Sequence, residues 1–456
     1  MNLDRTSNRM LSDYYRVHED GLGRVCSAQP SGQVGFFRFG PTTTCYGQST
    51  SGVSTSVESP ALHDALKTAR LKDLEVHLPF DPSQIVDNLR RERYVNHTGA
   101  KQGRIVDHPL VRKAYYAVRD LLPVSIRRHL QKVYLGGWRT LQFPNWPVDF
   151  TVDNIHEEVL RLAMKAGGVR RVPFIWFWPQ GAPNCLIMTH DVETAAGRDF
   201  TADLINLDHS YGIKASFQVI PEKRYEVPDE YVQHMRSRGF EFNVHDLNHD
   251  GQLYQERGLF LQRAQKINEY IKKFGAKGFR AGVMYRNLDW YDAYEFSYDM
   301  SMPNVAHLEP QRGGCCTVFP YFVGKILEIP LTTCQDYSLF QILNDYSIDL
   351  WKQQIALIRK RNGLISFIAH PDYLMNSQAR RVYESLLGYL RQIVEHDKVW
   401  MALPGEVDQW WRARSQMKLV PAGDGWKIEG PECDRARIAY ATLDGDGIKY
   451  SVENGL

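Results

Sequence analysis

With 456 residues the chain exceeds the usual size of a single core, so one large unit flanked by smaller ones is expected. Lysine plus arginine, 55, nearly cancel aspartate plus glutamate, 53, and the formal charge of +2 leaves no basic surplus for gripping nucleic acid. Met1–Arg16 is polar and charged and no run of about 18 apolar residues occurs elsewhere, so neither a secretory signal nor a transmembrane segment is read and a soluble, cytoplasmic protein is expected.

In chain order, Val34–Gly40 alternates as a strand does, and the Thr/Ser/Gly-rich stretch 42–57 after it reads as an exposed loop. Gln84–Arg93, Val111–Leu122 and Asp153–Ala166 have helical apolar spacing, the second ending before Pro123 and the third before Gly167-Gly168. Residues 1–168 are therefore expected to form a mostly helical cap or interaction region with a small β element, and they carry no chemical motif. The seven cysteines include no CxxC pair, so reduced thiols are expected, with the adjacent Cys315 and Cys316 as small buried hydrophobes.

From about residue 169 to 415 short apolar runs alternate with amphipathic segments. Strands are predicted at 172–178, 185–188, 215–220, 240–244, 278–281 and 364–369, and helices at 200–211, 229–238, 258–274 and 349–360. Such alternation predicts an α/β fold with a parallel sheet, and chemistry-bearing residues at the strand ends favour a barrel over an open doubly wound sheet. Residues 416–456 hold Gly425–Glu429, Ile438–Thr442 and an Asp444-Gly-Asp-Gly turn, which predict a small antiparallel β appendage.

The chemistry is concentrated at the ends of the central strands. Cys185–Met188 leads into Thr189-His-Asp-Val-Glu193, and Phe240–Val244 leads into His245-Asp-Leu-Asn-His249. Residues two apart on a strand share a side, so Asp191 and Glu193 project together, one able to hold a metal while the other works on water. His245 and His249, four apart, share a face if the segment makes a helical turn, and two neutral imidazoles then reach one Zn²⁺-like ion. Arg280, closing a short strand, is placed to pin the carboxylate that serves as base. His370 ends one of the most apolar runs of the chain, where an imidazole needs a partner, and Asp372 is the nearby candidate.

The order Thr189-His-Asp-Val-Glu193, His245-xxx-His249, Arg280 and His370 after an apolar strand resembles the polysaccharide deacetylase domain, the NodB-homology or carbohydrate esterase family 4, over roughly residues 170–412. The resemblance implies a distorted (β/α)7 barrel, a divalent metal held by one carboxylate and two histidines, and hydrolysis of N-acetyl groups on sugars. Residue by residue, it implies Asp191 as general base, His245 and His249 as ligands, Arg280 orienting Asp191, and His370 as general acid toward the departing amine. The family's first motif has two adjacent aspartates, but Val192 stands in the second slot here. Glu193 then takes the ligand's place, with Asp191 as the alternative ligand. Gly282 and Val283 replace the proline and tyrosine of the third motif, leaving a backbone N–H to serve the oxyanion. Asp299 and Asp336 are both candidates for the fourth-motif aspartate.

The implied cofactor is a divalent metal, Zn²⁺ first, with Co²⁺, Ni²⁺ and Mn²⁺ suited to the same donors. The implied partner is a carbohydrate or acylated small-molecule substrate, with no nucleic acid and with the oligomeric state open. Two other readings stand beside this one: a small-molecule amide hydrolase of the same superfamily, and a carbohydrate-binding or assembly protein without turnover.

Overall fold

A computed structural model describes residues 5–6, 8–27, 32–57, 62–95 and 133–453. The predicted helix Val111–Leu122 lies outside the described residues.

Seven parallel strands form the main path of one curled sheet, in which an eighth parallel strand is added at the side. In spatial order they are Ile326–Glu328, Tyr298–Asp299, Gly278–Arg280, Glu241–His245, Ala215–Val219, Cys185–Val192 and Leu364–Ala369. Tyr321–Val323 adds an antiparallel edge beside the first, and Trp400–Met401 pairs with Cys185–Leu186. Cys185–Val192 and Leu364–Ala369 are buried at every position, as strands sandwiched between helices and a barrel interior must be. Helices Ala195–Ser210, Asp229–Ser237, Arg257–Phe274 and Asp349–Arg359 fill four of the connections. After Gly278–Arg280 the chain makes only short 3₁₀ turns, Gly282–Met284 and Leu288–Ala293, and after Tyr298–Asp299 it runs irregularly to residue 320. The regular strand–helix alternation expected from sequence is broken on that side.

The sheet curls toward closure without a backbone ladder between its last parallel strands. Short side chains bridge the seam instead. Ser366 Oγ donates to the carbonyl of Pro330 at 2.6 Å and accepts from the N–H of Thr332 at 2.8 Å. Thr332 Oγ1 donates to the Leu364 carbonyl at 2.8 Å, and Thr333 Oγ1 to the Ser366 carbonyl at 2.7 Å. Buried backbone groups that a ladder would pair are thereby satisfied.

Three sequence expectations are corrected outside this sheet. The run 172–178 forms a strand, Arg171–Ile175, but it pairs antiparallel with Ile438–Asp444 in a separate sheet with Gly447–Val452. Pro173 has no N–H to donate, which suits a strand paired on one side only. The stretch 42–57 is not simply an exposed loop: Thr44–Gln48 is a strand paired with Val34–Arg38, and Cys45 and Tyr46 are buried in the core. The β element of the N-terminal region is also larger than expected. Arg5–Thr6, Arg24–Ser27, Glu75–Leu78 and Arg70–Lys72 form a second small sheet, against which helix Thr151–Gly167 packs. Described α-helices there include Arg9–Tyr15, Pro82–Arg90 and Thr151–Gly167, the second capped by Asp81, whose carboxylate accepts from the N–H of Ser83 at 2.9 Å. In the tail, Lys418–Ala422 and Gly425–Glu429 form a further antiparallel hairpin. Cys315 and Cys316 are buried in the core with no bridge between them. No described helix is long and apolar enough to cross a membrane.

Candidate active site

Asp191 and Glu193 leave the end of strand Cys185–Val192 on its inner side, while His190 and Val192 face the helix layer. His190 is accordingly no part of the cluster. Its Nε2 lies 2.8 Å from Asp208 and its Nδ1 3.0 Å from the carbonyl of Ala369, and Tyr383 donates to the other Asp208 oxygen at 2.7 Å.

His245 ends the neighbouring strand but one, and His249 follows in a loop, not in the helical turn read from the spacing. Asp246 and His249 both take left-handed backbone conformations, with φ of 55° each, which folds the loop back so that the two rings lie 4.9 Å apart. Arg224 fixes the loop from outside, donating to the carbonyls of Asn248 at 3.3 Å and His249 at 2.7 Å. Gly282 is required against it. A Cβ there would come within 2.5 Å of an Asp246 carboxylate oxygen and 2.9 Å of the His249 ring.

The ligand-type atoms of Glu193, His245 and His249 all lie within 4.8 Å of one another. His249 Nε2 is 3.0 Å from Glu193 Oε1. His245 Nδ1 donates to the Arg280 carbonyl at 3.1 Å, so the lone pair sits on Nε2, which is buried with no hydrogen-bond partner among the described residues. Burial pushes the His245 imidazole down to about 4, the neutral form that a metal requires. Burial alone would raise the Glu193 carboxyl, but His249 and the neighbouring imidazoles hold it well below the usual carboxylate range. An anionic carboxylate and an imidazole nitrogen whose lone pair lacks a donor fit a divalent cation. The Glu193 side chain retains 26% exposure, so the cluster opens to solvent.

Two further groups flank it. Asp191 Oδ1 accepts from Arg280 Nη1 at 2.6 Å, and Oδ2 lies 3.8 Å from His245 Nε2. Burial works against the Asp191 charge, yet Arg280 and the adjacent histidines bring its carboxyl below the usual range. Arg280 is itself held by the Met300 carbonyl at 3.0 Å and Thr189 Oγ1 at 2.8 Å. His370 Nε2 faces Glu193 Oε1 at 3.8 Å, while its Nδ1 donates to Asp336 Oδ1 at 2.6 Å. Burial would lower the His370 imidazole; the Asp336 carboxylate, with Glu193 and Asp191 beyond it, carries it up to about 10.

The structure thus gathers Asp191, Glu193, His245, His249, Arg280 and His370 at one rim. The expected Asp372 partner for His370 is a correction. Asp372 accepts from the Glu193 N–H at 3.2 Å and from Thr194 Oγ1, and Asp336 takes the imidazole. Of the two fourth-motif candidates, Asp299 is buried elsewhere with Tyr291 and Ser301. Thr189 was not singled out, although its place two residues before Asp191 puts it on the same inner side. A cavity of about 990 Å³ lined by Arg90, Tyr321 and Arg412 shares no residue with this cluster, so the donor chemistry, not the volume, locates the site.

Taken together, the curled parallel sheet and a carboxylate–imidazole cluster at its strand ends define an α/β protein with a candidate metal centre. No protein-family model matches the chain, and no curated protein matches it. Among solved structures it is similar to a Mycobacterium smegmatis protein assigned to the polysaccharide deacetylases, at 16% identity and a TM-score of 0.43, over 54% of this chain and 96% of that one. It is also similar to a family 4 carbohydrate esterase from Streptomyces lividans solved with acetate, at 11% identity and a TM-score of 0.32, over 48% and 92% of the two chains. The peptidoglycan deacetylase PdaC from Bacillus subtilis aligns at 12% identity and a TM-score of 0.31, over 50% and 90%.

Proposed function

We propose that this protein is a metal-dependent hydrolase that removes N-acetyl or similar acyl groups from a sugar or glycan intermediate. The observation that carries the reading is the approach of Glu193, His245 and His249 to within 4.8 Å of one another beside an arginine-held carboxylate and a carboxylate-held imidazole. Glu193, His245 and His249 would hold the cation, and the mixed nitrogen and oxygen donors suit Zn²⁺, with Co²⁺, Ni²⁺ or Mn²⁺ as substitutes. When bound, such an ion makes water more acidic and polarises an amide carbonyl. Glu193 is assigned as ligand in preference to Asp191 because Asp191 is engaged by Arg280 and lies outside the close three-residue group.

The other residues divide the proton traffic. Asp191 takes a proton from the attacking water at Oδ2, the oxygen that Arg280 leaves unengaged, and Arg280 keeps it ionised for that task. Water oxygen adds to the carbonyl carbon and the C–N bond breaks. His370 delivers the Nε2 proton to the departing nitrogen, giving a carboxylic acid and an amine. Asp336 keeps that proton in place at neutral pH. Backbone N–H groups of the turn Gly282–Met284 remain to serve the oxyanion, as the missing proline and tyrosine require.

Metal analysis of purified protein tests the reading. Bound divalent metal that is lost in His245→Ala and in His249→Ala, together with acyl release from chitooligosaccharides, is the expected result. Turnover confined to small amides would move the substrate away from glycans, and metal content unchanged by both substitutions would remove the centre itself.

A further inference from the structure

A second cluster lies in the N-terminal region, in the sheet formed by Arg24–Ser27 and Glu75–Leu78. Their parallel register sets Arg24 beside Glu75 and Cys26 beside His77. Val25, Val76 and Leu78 belong to the apolar core, so by alternation Arg24, Cys26, Glu75 and His77 share the other face. Cys26 is only 2% exposed, yet it stands outside the apolar core that takes in the other five buried cysteines, Cys45, Cys185, Cys315, Cys316 and Cys334. Its Sγ lies 3.9 Å from the backbone carbonyl oxygen of Arg24. The ligand-type atoms of Cys26, Glu75 and His77 lie within 4.8 Å of one another. His77 Nε2 is 3.1 Å from Glu75 Oε2, and Arg24 Nη2 holds the other Glu75 oxygen at 3.2 Å, the kind of outer contact that orients a ligating carboxylate.

We propose that Cys26, Glu75 and His77 form a second divalent-metal site, of the Zn²⁺ class, separate from the Glu193 cluster. One thiolate, one carboxylate and one neutral imidazole are donors that borderline cations accept together, and their two negative charges balance the charge of the ion. Binding releases the Cys26 proton to solvent and leaves a fourth position for water. Because the donors come from two strands, the ion ties the strands together and secures the sheet on which helix Thr151–Gly167 rests. The sulfur ligand also separates this site chemically from the first, which has none.

Co²⁺ is the probe, with the full chain carrying Cys433→Ser to remove the one exposed thiol. The protein is expected to take up two equivalents and to show thiolate-to-cobalt charge-transfer absorption in the near ultraviolet. Cys26→Ser should lose the band and one equivalent, while His249→Ala should lose one equivalent and keep the band, so failure of either site is seen without the other. His77→Gln, a change at a side chain 41% exposed that folding tolerates, should weaken the band's cobalt affinity at least about tenfold. Absence of the band in the parent protein, its survival in Cys26→Ser, or an unchanged affinity in His77→Gln would overturn the proposal.

Discussion

At the scale of single residues, the site depends on keeping His370 protonated while His245 stays neutral, although both are buried. The difference is a carboxylate: Asp336 sits 2.6 Å from His370 Nδ1, whereas His245 Nδ1 meets a backbone carbonyl. An acid with a pKa of about 10 is charged throughout the neutral range, so on the alkaline side activity should fall only as pH rises through that value. Asp336→Asn should move the alkaline limb of the kcat profile toward neutrality, and His370→Ala should cost roughly 10²–10⁴ in kcat. The same shift has a stability counterpart. The folded value lies above the ordinary 6.5, so the stabilisation is fully present below about pH 6.5 and is lost as pH rises through about 10. Urea unfolding of the parent protein should therefore show a decline over that window that Asp336→Asn lacks. Sequence pattern placed Asp191, Glu193, His245, His249, Arg280 and His370 near one another because each follows or ends an apolar run. It pointed to Asp372 for His370 by proximity in sequence, while Asp336 stood beside Asp299 only as a fourth-motif candidate, and nothing in the residues around it announces a contact with His370 across 34 positions.

At the scale of elements, the central strands were legible because a strand buried on both faces leaves an unbroken apolar run, as in Leu364–Ala369. Their partners were not. The two-residue strand Tyr298–Asp299 and the three-residue strand Ile326–Glu328 are too short to show a period, and Arg171–Ile175, which does show one, belongs to another sheet. The His245–His249 spacing suggested a helical turn, but the left-handed residues at Asp246 and His249 reach the same convergence by a route that spacing cannot reveal. The seam of the curled sheet makes its own prediction. Ser366→Ala leaves the buried carbonyl of Pro330 and the N–H of Thr332 without that hydroxyl, at a cost of about 1–3 kcal/mol. Chemical denaturation should register the loss, and metal content should stay unchanged because Ser366 is no part of the ligand cluster.

At the scale of the whole molecule, a buried ion pair among the described residues links the N-terminal region to the rim of the site. Glu92, just past helix Pro82–Arg90, accepts from Arg286 Nε at 2.9 Å and also from Arg286 Nη2 and the Gly314 N–H. Arg286 in turn donates to the carbonyl of Met284 at 2.7 Å, at the end of the turn that contacts the His249 loop. Removing one partner of such a pair leaves a buried charge without its counterion. Glu92→Gln should destabilise the fold by roughly 3–5 kcal/mol, read as a lowered unfolding midpoint. No motif marked this contact in residues 1–168, because a lone glutamate at a helix end looks like any solvated carboxylate until its partner, 194 positions away, is known.

The central claim is that a metal held by Glu193, His245 and His249 and a base at Asp191 together hydrolyse an acylated sugar. Acetate release from an N-acetylated chitooligosaccharide, followed for the parent protein before chelation, after it and after metal is restored, with Asp191→Asn alongside, tests it most directly. The account predicts release that stops on chelation, returns with the metal, and is at least about 10²-fold slower in Asp191→Asn. Release that survives chelation, or that proceeds equally well in Asp191→Asn, would contradict it.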